Sequence, residues 1–298
     1  MTVSPTGALI ALLSAVLAMP ACSPHLGETG TGPSPVGVSD EHPGPGGIVR
    51  SYHTDLRFPR KAEISSARSG ARVVLTFKAD PMAIVRGTFD ARLRASAKTM
   101  SSAGGDWLVG YWHEPEDDMA AGVYREAFRH VAAIVQPFPH VRTIAVLMAS
   151  TFTHGDGLTW YPGDAAVDVL GVDGYDWEGC RSNGGLAAPG ATHRSFGQIF
   201  AAADAFALAH EIPMVVAEFG TPANPTQPGA RTAWLAAAGR WMAAHPELLG
   251  AWYFDFGSKQ GFLCEWTLGP AARAEYRSLF TRGDLEPIRT GVLDPRPT

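Results

Sequence analysis

The residues "WLVGYWHEPEDD" at positions 107–118 run from an apolar, aromatic stretch into a histidine, a glutamate, a proline and three further acids. The stretch before the histidine is apolar at nearly every position. That pattern suits a parallel strand covered on both faces, where a half-exposed strand would alternate. The acids that follow admit three readings: a metal site, one member of a carboxylate pair, or the acidic first turn of a helix. Zinc would want His-Glu-x-x-His so that two imidazoles share one helical face. Asp117 stands where the second histidine is needed, and Pro115 would end a helix through the motif. The metal reading of this stretch is therefore set aside.

Working outward, similar runs occur at residues 48–52, 72–77, 143–148, 167–172, 213–217 and 250–254, with alanine-rich amphipathic stretches such as 120–135, 196–210 and 230–245 between them. Successive runs start 24 to 46 residues apart, close to the roughly 30-residue βα unit of an eight-stranded barrel. A doubly wound open sheet would carry a phosphate loop after an early strand, and neither G-x-G-x-x-G nor G-x-x-x-x-G-K-[ST] occurs. The expected fold is an α/β (β/α)8 TIM barrel. Seven strands read well. The remaining candidate, "VGV" at 36–38, leaves no room for a helix before Ile48, so the first βα unit is degenerate or missing.

The chain of 298 residues is 46% hydrophobic with a net charge of -5, enough for one large core. Acids and bases are interspersed, and no basic block tracks a phosphate backbone, so no nucleic-acid partner is expected. Residues 8–19 form an apolar run the length of a signal h-region and too short to span a bilayer. Residues 1–22 are thus expected to be a signal peptide, with a lipid anchor on Cys22 as the lipoprotein variant and a mis-assigned start codon as the alternative. Residues 23–47 read as a Gly/Pro-rich linker, 48–285 as the catalytic domain and 286–298 as a loose tail. The expectation is a secreted or cell-surface monomer without a membrane span. In that oxidising setting the pair Cys180 and Cys264 favours a disulfide over two buried thiols.

A barrel places its chemistry at the carboxyl ends of the strands. Those ends are rich in carboxylates and aromatics. The G-x-S-x-G elbow of a serine esterase is absent. Glu114 and Glu218 each close a strong strand, 104 residues apart. That is about three βα units, so they fall on barrel strands 4 and 7 and point across one mouth. Two carboxyls about 5–5.5 Å apart there make the pair of a retaining glycosidase. The bland alternative is two solvated acids or helix caps. Sugar rings present flat C–H faces, and Trp252 and Trp177 are the preferred aromatic floor. Asp173 is a candidate for sugar hydroxyls or a loop cap.

Taken together, "WHEPE" (112–116), "WYPGDAAVDVLGVDGYDW" (160–177) and "VVAEFGTP" (215–222) resemble the actinobacterial branch of glycoside hydrolase family 26, over residues 48–282. The resemblance implies a retaining (β/α)8 glycosidase that acts on mannan-, xylan- or β-glucan-type polysaccharide without a cofactor or metal. It implies Glu114 as general acid/base and Glu218 as nucleophile. His113 would contact the sugar and both carboxylates, Tyr175 would hydrogen-bond the nucleophile, and Trp252 would be the platform at the cleavage point. Glu116, Asp117 and Asp118 read as the acidic first turn of the next helix. A barrel that binds carbohydrate without turnover is the rival reading.

Overall fold

The computed structural model describes residues 47–178, 180–182, 192–224, 227–245, 248–255, 262–263 and 266–281. The expected signal segment, residues 23–46 of the linker, "VGV" at 36–38, Cys264 and the tail at 286–298 lie outside the described residues.

Strands and helices alternate along the chain. They are β1 (Ile48–His53), α1 (Lys61–Arg68), β2 (Arg72–Phe77), α2 (Pro81–Val85), α3 (Asp90–Ala103), β3 (Asp106–Tyr111), α4 (Ala121–Val135), β4 (Val141–Met148), α5 (Ala149–Thr153), α6 (Gly157–Trp160) and β5 (Val169–Tyr175). A two-residue strand β6 (Arg181–Ser182), α7 (Phe196–Ala209), β7 (Met214–Gly220), α8 (Ala230–Ala243), β8 (Leu248–Tyr253), a second short strand β9 (Phe262–Leu263) and α9 (Pro270–Thr281) follow. Helix starts obey local chemistry. Asp80 caps α2 with Pro81 in its first turn, and Ser195 and Gln198 form a capping box on α7.

β1, β2, β3, β4, β5, β7 and β8 form one parallel sheet in that order. This is the expected TIM-barrel-like α/β fold with seven strands. Alternate residues feed two cores. Val74, Leu108, Ile144, Val146, Val169, Val215 and Ala217 pack together as one cluster inside the curl of the sheet. Val73, Leu75, Phe77, Val109 and their like pack outward against the helices. Interior space is tight enough to dictate glycine. A Cβ at Gly110 would lie 2.6 Å from the Ile144 carbonyl, and one at Gly171 would lie 2.7 Å from Val146.

No ladder joins the edge strands β1 and β8 among the described residues, yet they approach within 8 Å Cα–Cα. Tyr52 and Trp252 meet across that seam with ring centroids 6.3 Å apart. β6 and β9 pair antiparallel, Arg181 with Leu263 and Ser182 with Phe262, which ties the loop after β5 to the loop after β8. No described helix is long and apolar enough to cross a membrane.

One local expectation is corrected. Glu116, Asp117 and Asp118 are not the first turn of α4, which begins at Ala121 with no acid in its first turn. Pro115 opens a separate 3-10 turn, Pro115–Asp117. That turn swings Glu116 inward, where its carboxylate accepts from the Met148 N–H and the Thr151 hydroxyl, both at 2.7 Å.

Candidate active site

β3 ends at Tyr111, and the chain then zigzags between its neighbours. Trp112 N–H donates to Phe77 of β2 at 2.9 Å, and Glu114 N–H donates to Val146 of β4 at 3.1 Å. To do so, Trp112 (φ 57°) and Glu114 (φ 48°) both enter the left-handed region. For residues with a Cβ this costs roughly 1–2 kcal/mol each. Strain of this kind persists where the surroundings over-determine it, and such places cluster at functional sites. Here it turns the Glu114 side chain to the mouth, where it is buried.

Glu218 sits on β7, paired in register with Asp173 of β5 beside an irregularity in that ladder. Both of its carboxylate oxygens are occupied. Tyr52 donates to Oε1 and Tyr175 donates to Oε2, each at 2.5 Å. Arg50 Nη2 lies 3.6 Å from Oε1. Burial first, with nearby negative charge assisting, pushes both tyrosine hydroxyls well above their usual range, so both stay protonated donors. Two donors and a guanidinium facing one carboxylate stabilise its negative form and fix its orientation.

Arg50 is fully withdrawn from water. Its Nη1 donates to Thr76 Oγ1 at 2.8 Å, and Thr76 Oγ1 lies 3.2 Å from His113 Nδ1. Burial, with Arg50 and Lys78 nearby, holds the His113 imidazole well below its ordinary value. The ring is therefore neutral. Thr76 thus bridges the guanidinium and the imidazole, accepting from Arg50 and sharing a hydrogen bond with His113 Nδ1. The guanidinium thus faces Glu218 on one side and, through Thr76, His113 on the other.

Glu114 has the opposite environment. Burial, then the charges of Glu218 and Glu116, raise its carboxyl well above the usual range, against Lys78 and Arg50. Asp173 is raised likewise, by burial first and then by Glu218 and Glu114. Neither Asp173 oxygen has a hydrogen-bond donor among the described residues.

The expected aromatic floor is deeply set. Trp252 is 2% exposed and packs between Tyr52 and Phe254. Trp177 stands against Tyr175 and Trp266, in a small cluster that also contains Cys180 and Phe254. Cys264, the expected partner of Cys180, lies outside the described residues. Other strand-end groups turn out to be structural. His53 faces away from the mouth and bonds Glu63 of α1 at 2.7 Å. Asp176 accepts from Arg194 N–H and Thr221 and anchors its loop. Asp176, Glu178 and His193 bring one ligand atom each within 4.8 Å, the grouping among the described residues that could hold a cation.

The structure therefore gathers Glu114, Glu218, His113, Tyr175 and Asp173 at one mouth, with Trp252 behind Tyr52. Sequence reading missed Arg50 and Tyr52. Both lie in "IVRSYH" on the face that Ile48 shares with the interior cluster, so period-two placement would have found them.

No family profile matches the chain. Endoglucanase H of Acetivibrio thermocellus is 24% identical over 258 residues, covering 80% of this chain and 27% of that protein. The chain thus spans about a quarter of the length of the curated relative it matches. Among solved structures, GH26C from Muricauda sp. aligns with a TM-score of 0.55 at 14% identity, covering 78% of this chain and 76% of that one. A fungal β-1,4-galactanase aligns with the same TM-score at 12% identity, covering 78% of this chain and 87% of that one. The chain is thus distantly similar in fold to a GH26 glycoside hydrolase and in sequence to an endoglucanase.

Proposed function

We propose that the protein is a retaining glycoside hydrolase acting on a β-linked polysaccharide of the mannan, xylan or β-glucan type. The observation that carries this reading is the contrast between two carboxyls at one mouth. Glu218 takes a phenol hydrogen bond on each oxygen, whereas Glu114 is buried and held protonated. A buried carboxyl that keeps its proton facing a carboxylate held by two phenols is the arrangement of an acid and a nucleophile in such a site.

In the first step a Glu218 oxygen attacks the anomeric carbon as the glycosidic C–O bond breaks, and the Glu114 proton goes to the leaving oxygen. In the second, water gives a proton to Glu114 while its oxygen attacks the anomeric carbon. The ester bond breaks and Glu218 is released as carboxylate. His113, Asp173 and Trp252 are assigned to the sugar at the cleavage point, with Trp177 at the aromatic rim. The similarity to a protein named as an endoglucanase and the signal-like run at residues 8–19 support an exported enzyme of endo type.

A panel of β-1,4-mannan, xylan and mixed-linkage β-glucan tests the assignment through release of reducing ends. Proton NMR of the first-formed anomer should show retention; inversion would reject double displacement. The seam without a ladder between β1 and β8 favours one rival, a carbohydrate-binding barrel without turnover. Binding with no reducing ends released, identically in wild type and Glu218→Ala, would establish that rival.

A further inference from the structure

Two residues beyond Glu114 the chain carries a second inward-turned carboxyl, to which the glycosidase chemistry gives no task. Glu116 sits in the Pro115–Asp117 turn, and its Oε1 accepts from the Met148 N–H and the Thr151 hydroxyl, both at 2.7 Å. Its other oxygen, Oε2, is withdrawn from water with no donor among the described residues. A carboxyl satisfied on one oxygen alone is a costly way to tie down a turn. Stability by itself is therefore a poor account of Glu116. What its contacts do fix is the backbone around Glu114.

In a parallel ladder every second residue turns both its N–H and its C=O to the same neighbouring strand. Val146 of β4 does so toward the end of β3: it bridges with His113, and its carbonyl accepts the Glu114 N–H at 3.1 Å. Met148 is next in that series, and a continued ladder would give its N–H to the Glu114 carbonyl. At Glu114 the backbone turns left-handed (φ 48°), and the Glu116 carboxyl takes the Met148 N–H instead. Glu114 is thus held to β4 twice, through its own N–H at Val146 and through the Glu116 side chain at Met148. A left-handed residue with a Cβ is uphill and needs such a hold. The bonds from the Asp118 and Met119 N–H groups to the Pro115 carbonyl, each 3.1 Å, close the turn on itself and do not tie it to β4.

We propose that Glu116 is a positioning residue for Glu114. Its carboxyl stands in for the last ladder bond to β4, and so keeps the strained backbone in the one conformation that aims the Glu114 side chain into the mouth. The proposal rests on the role assigned above to Glu114. Glu116 acts through the backbone and is assigned no proton transfer of its own.

Three variants separate this role from a merely structural one. Glu116→Ala removes the hold. Glu116→Asp keeps a carboxyl but shortens its reach, and serves where Glu116→Ala fails to fold. Glu116→Gln keeps an oxygen in place to accept from Met148 and Thr151. On whichever panel polysaccharide is cleaved, Glu116→Ala and Glu116→Asp should lower kcat roughly 10- to 100-fold with KM nearly unchanged, and Glu116→Gln should restore most of it. On a dinitrophenyl glycoside of the sugar released, the leaving group departs without a proton from Glu114. The burst of dinitrophenolate from Glu116→Ala or Glu116→Asp should then stay close to the wild-type rate. Hydrogen exchange at the Met148 amide, which needs no turnover, should quicken in Glu116→Ala and not in Glu116→Gln. Equal losses on both substrates, or an unchanged kcat on polysaccharide in Glu116→Ala and Glu116→Asp, overturn this proposal alone. A wild type that cleaves none of the three polysaccharides overturns the glycosidase reading, and this role for Glu116 with it.

Discussion

Tyr52 and Glu218 stand 166 residues apart in the chain and meet at 2.5 Å. The contact spans the seam between β1 and β8, so the strand nearest the open edge of the sheet helps to aim the Glu218 carboxylate proposed as nucleophile. Seam geometry and the orientation of Glu218 are thereby coupled. If β1 shifts, Glu218 loses a donor.

Tyr52→Phe removes that donor and keeps the ring against Trp252 and His113. A hydrogen bond to a charged group is worth about 1.5–3 kcal/mol, so kcat/KM should fall by roughly 10- to 150-fold. Tyr175→Phe should act similarly on the other oxygen. Because both donors serve one carboxylate, the double variant should deviate from additivity in a double-mutant cycle. Strict additivity, or an unchanged Tyr52→Phe, would argue against shared orientation of Glu218.

The two glutamates separate by leaving group. Glu114→Ala should lose about 10²–10⁴ in kcat/KM on polysaccharide, where the leaving oxygen needs a proton. On a dinitrophenyl glycoside of the same sugar, whose leaving group departs unprotonated, the bond-breaking step should be nearly unaffected. Glu218→Ala should be inactive on both. Equal losses in both variants on both substrates would count against the assigned roles.

The strands were legible because burial on both faces leaves apolar residues at nearly every position, as in "RVVLTF" and "MVVAEF". Glu114 and Glu218 were legible because strand ends define the mouth of a barrel. Arg50 and Tyr52 took a further step, since polar residues in a short strand look solvent-facing unless the period-two face they share with Ile48 is followed inward. Glu116 was misread for the same reason. Three acids in a row suggest an exposed helix start, whereas Pro115 breaks the run and one carboxylate turns inward to cap β4. The strain at Trp112 and Glu114 has no sequence signal, because neither residue type prefers a left-handed backbone.

Stability should record the Asp173 environment. Burial, then Glu218 and Glu114, raise this carboxyl well above its ordinary value. The folded state then binds the proton where the unfolded chain has released it. Stability contributed by Asp173 therefore falls as pH rises from the ordinary carboxylate range toward the folded value. Asp173→Asn has the same shape and no charge to desolvate. It should raise Tm at neutral pH, by about 2–4 °C per kcal/mol relieved in a chain of this size, and the gain should vanish near about pH 4. Activity should fall at the same time if Asp173 holds sugar as proposed. Thermal melts from pH 4 to 8 decide it: a lower Tm for Asp173→Asn at pH 7 would mean that the carboxyl is satisfied in the folded state.

The loops after β5 and β8 should be covalently joined. β6 and β9 pair Arg181 with Leu263, and Cys180 and Cys264 are the next residues in sequence beside that pair. Cys180 is buried beside Trp266, whose ring packs on Tyr175 at 5.1 Å. A Cys180–Cys264 bridge would therefore hold the backing of the tyrosine that aims Glu218, and reduce the entropy lost on ordering both loops around substrate. Peptide mapping of protein purified without reductant should find the two cysteines in one linked pair. Reduction, or Cys180→Ser with Cys264→Ser, should lower Tm and raise KM more than it lowers kcat, because loop order is lost while the carboxyl pair stays in place. Free thiols at both positions in protein purified without reductant would refute the bridge. A bridge whose removal leaves KM unchanged would confine it to a role in stability.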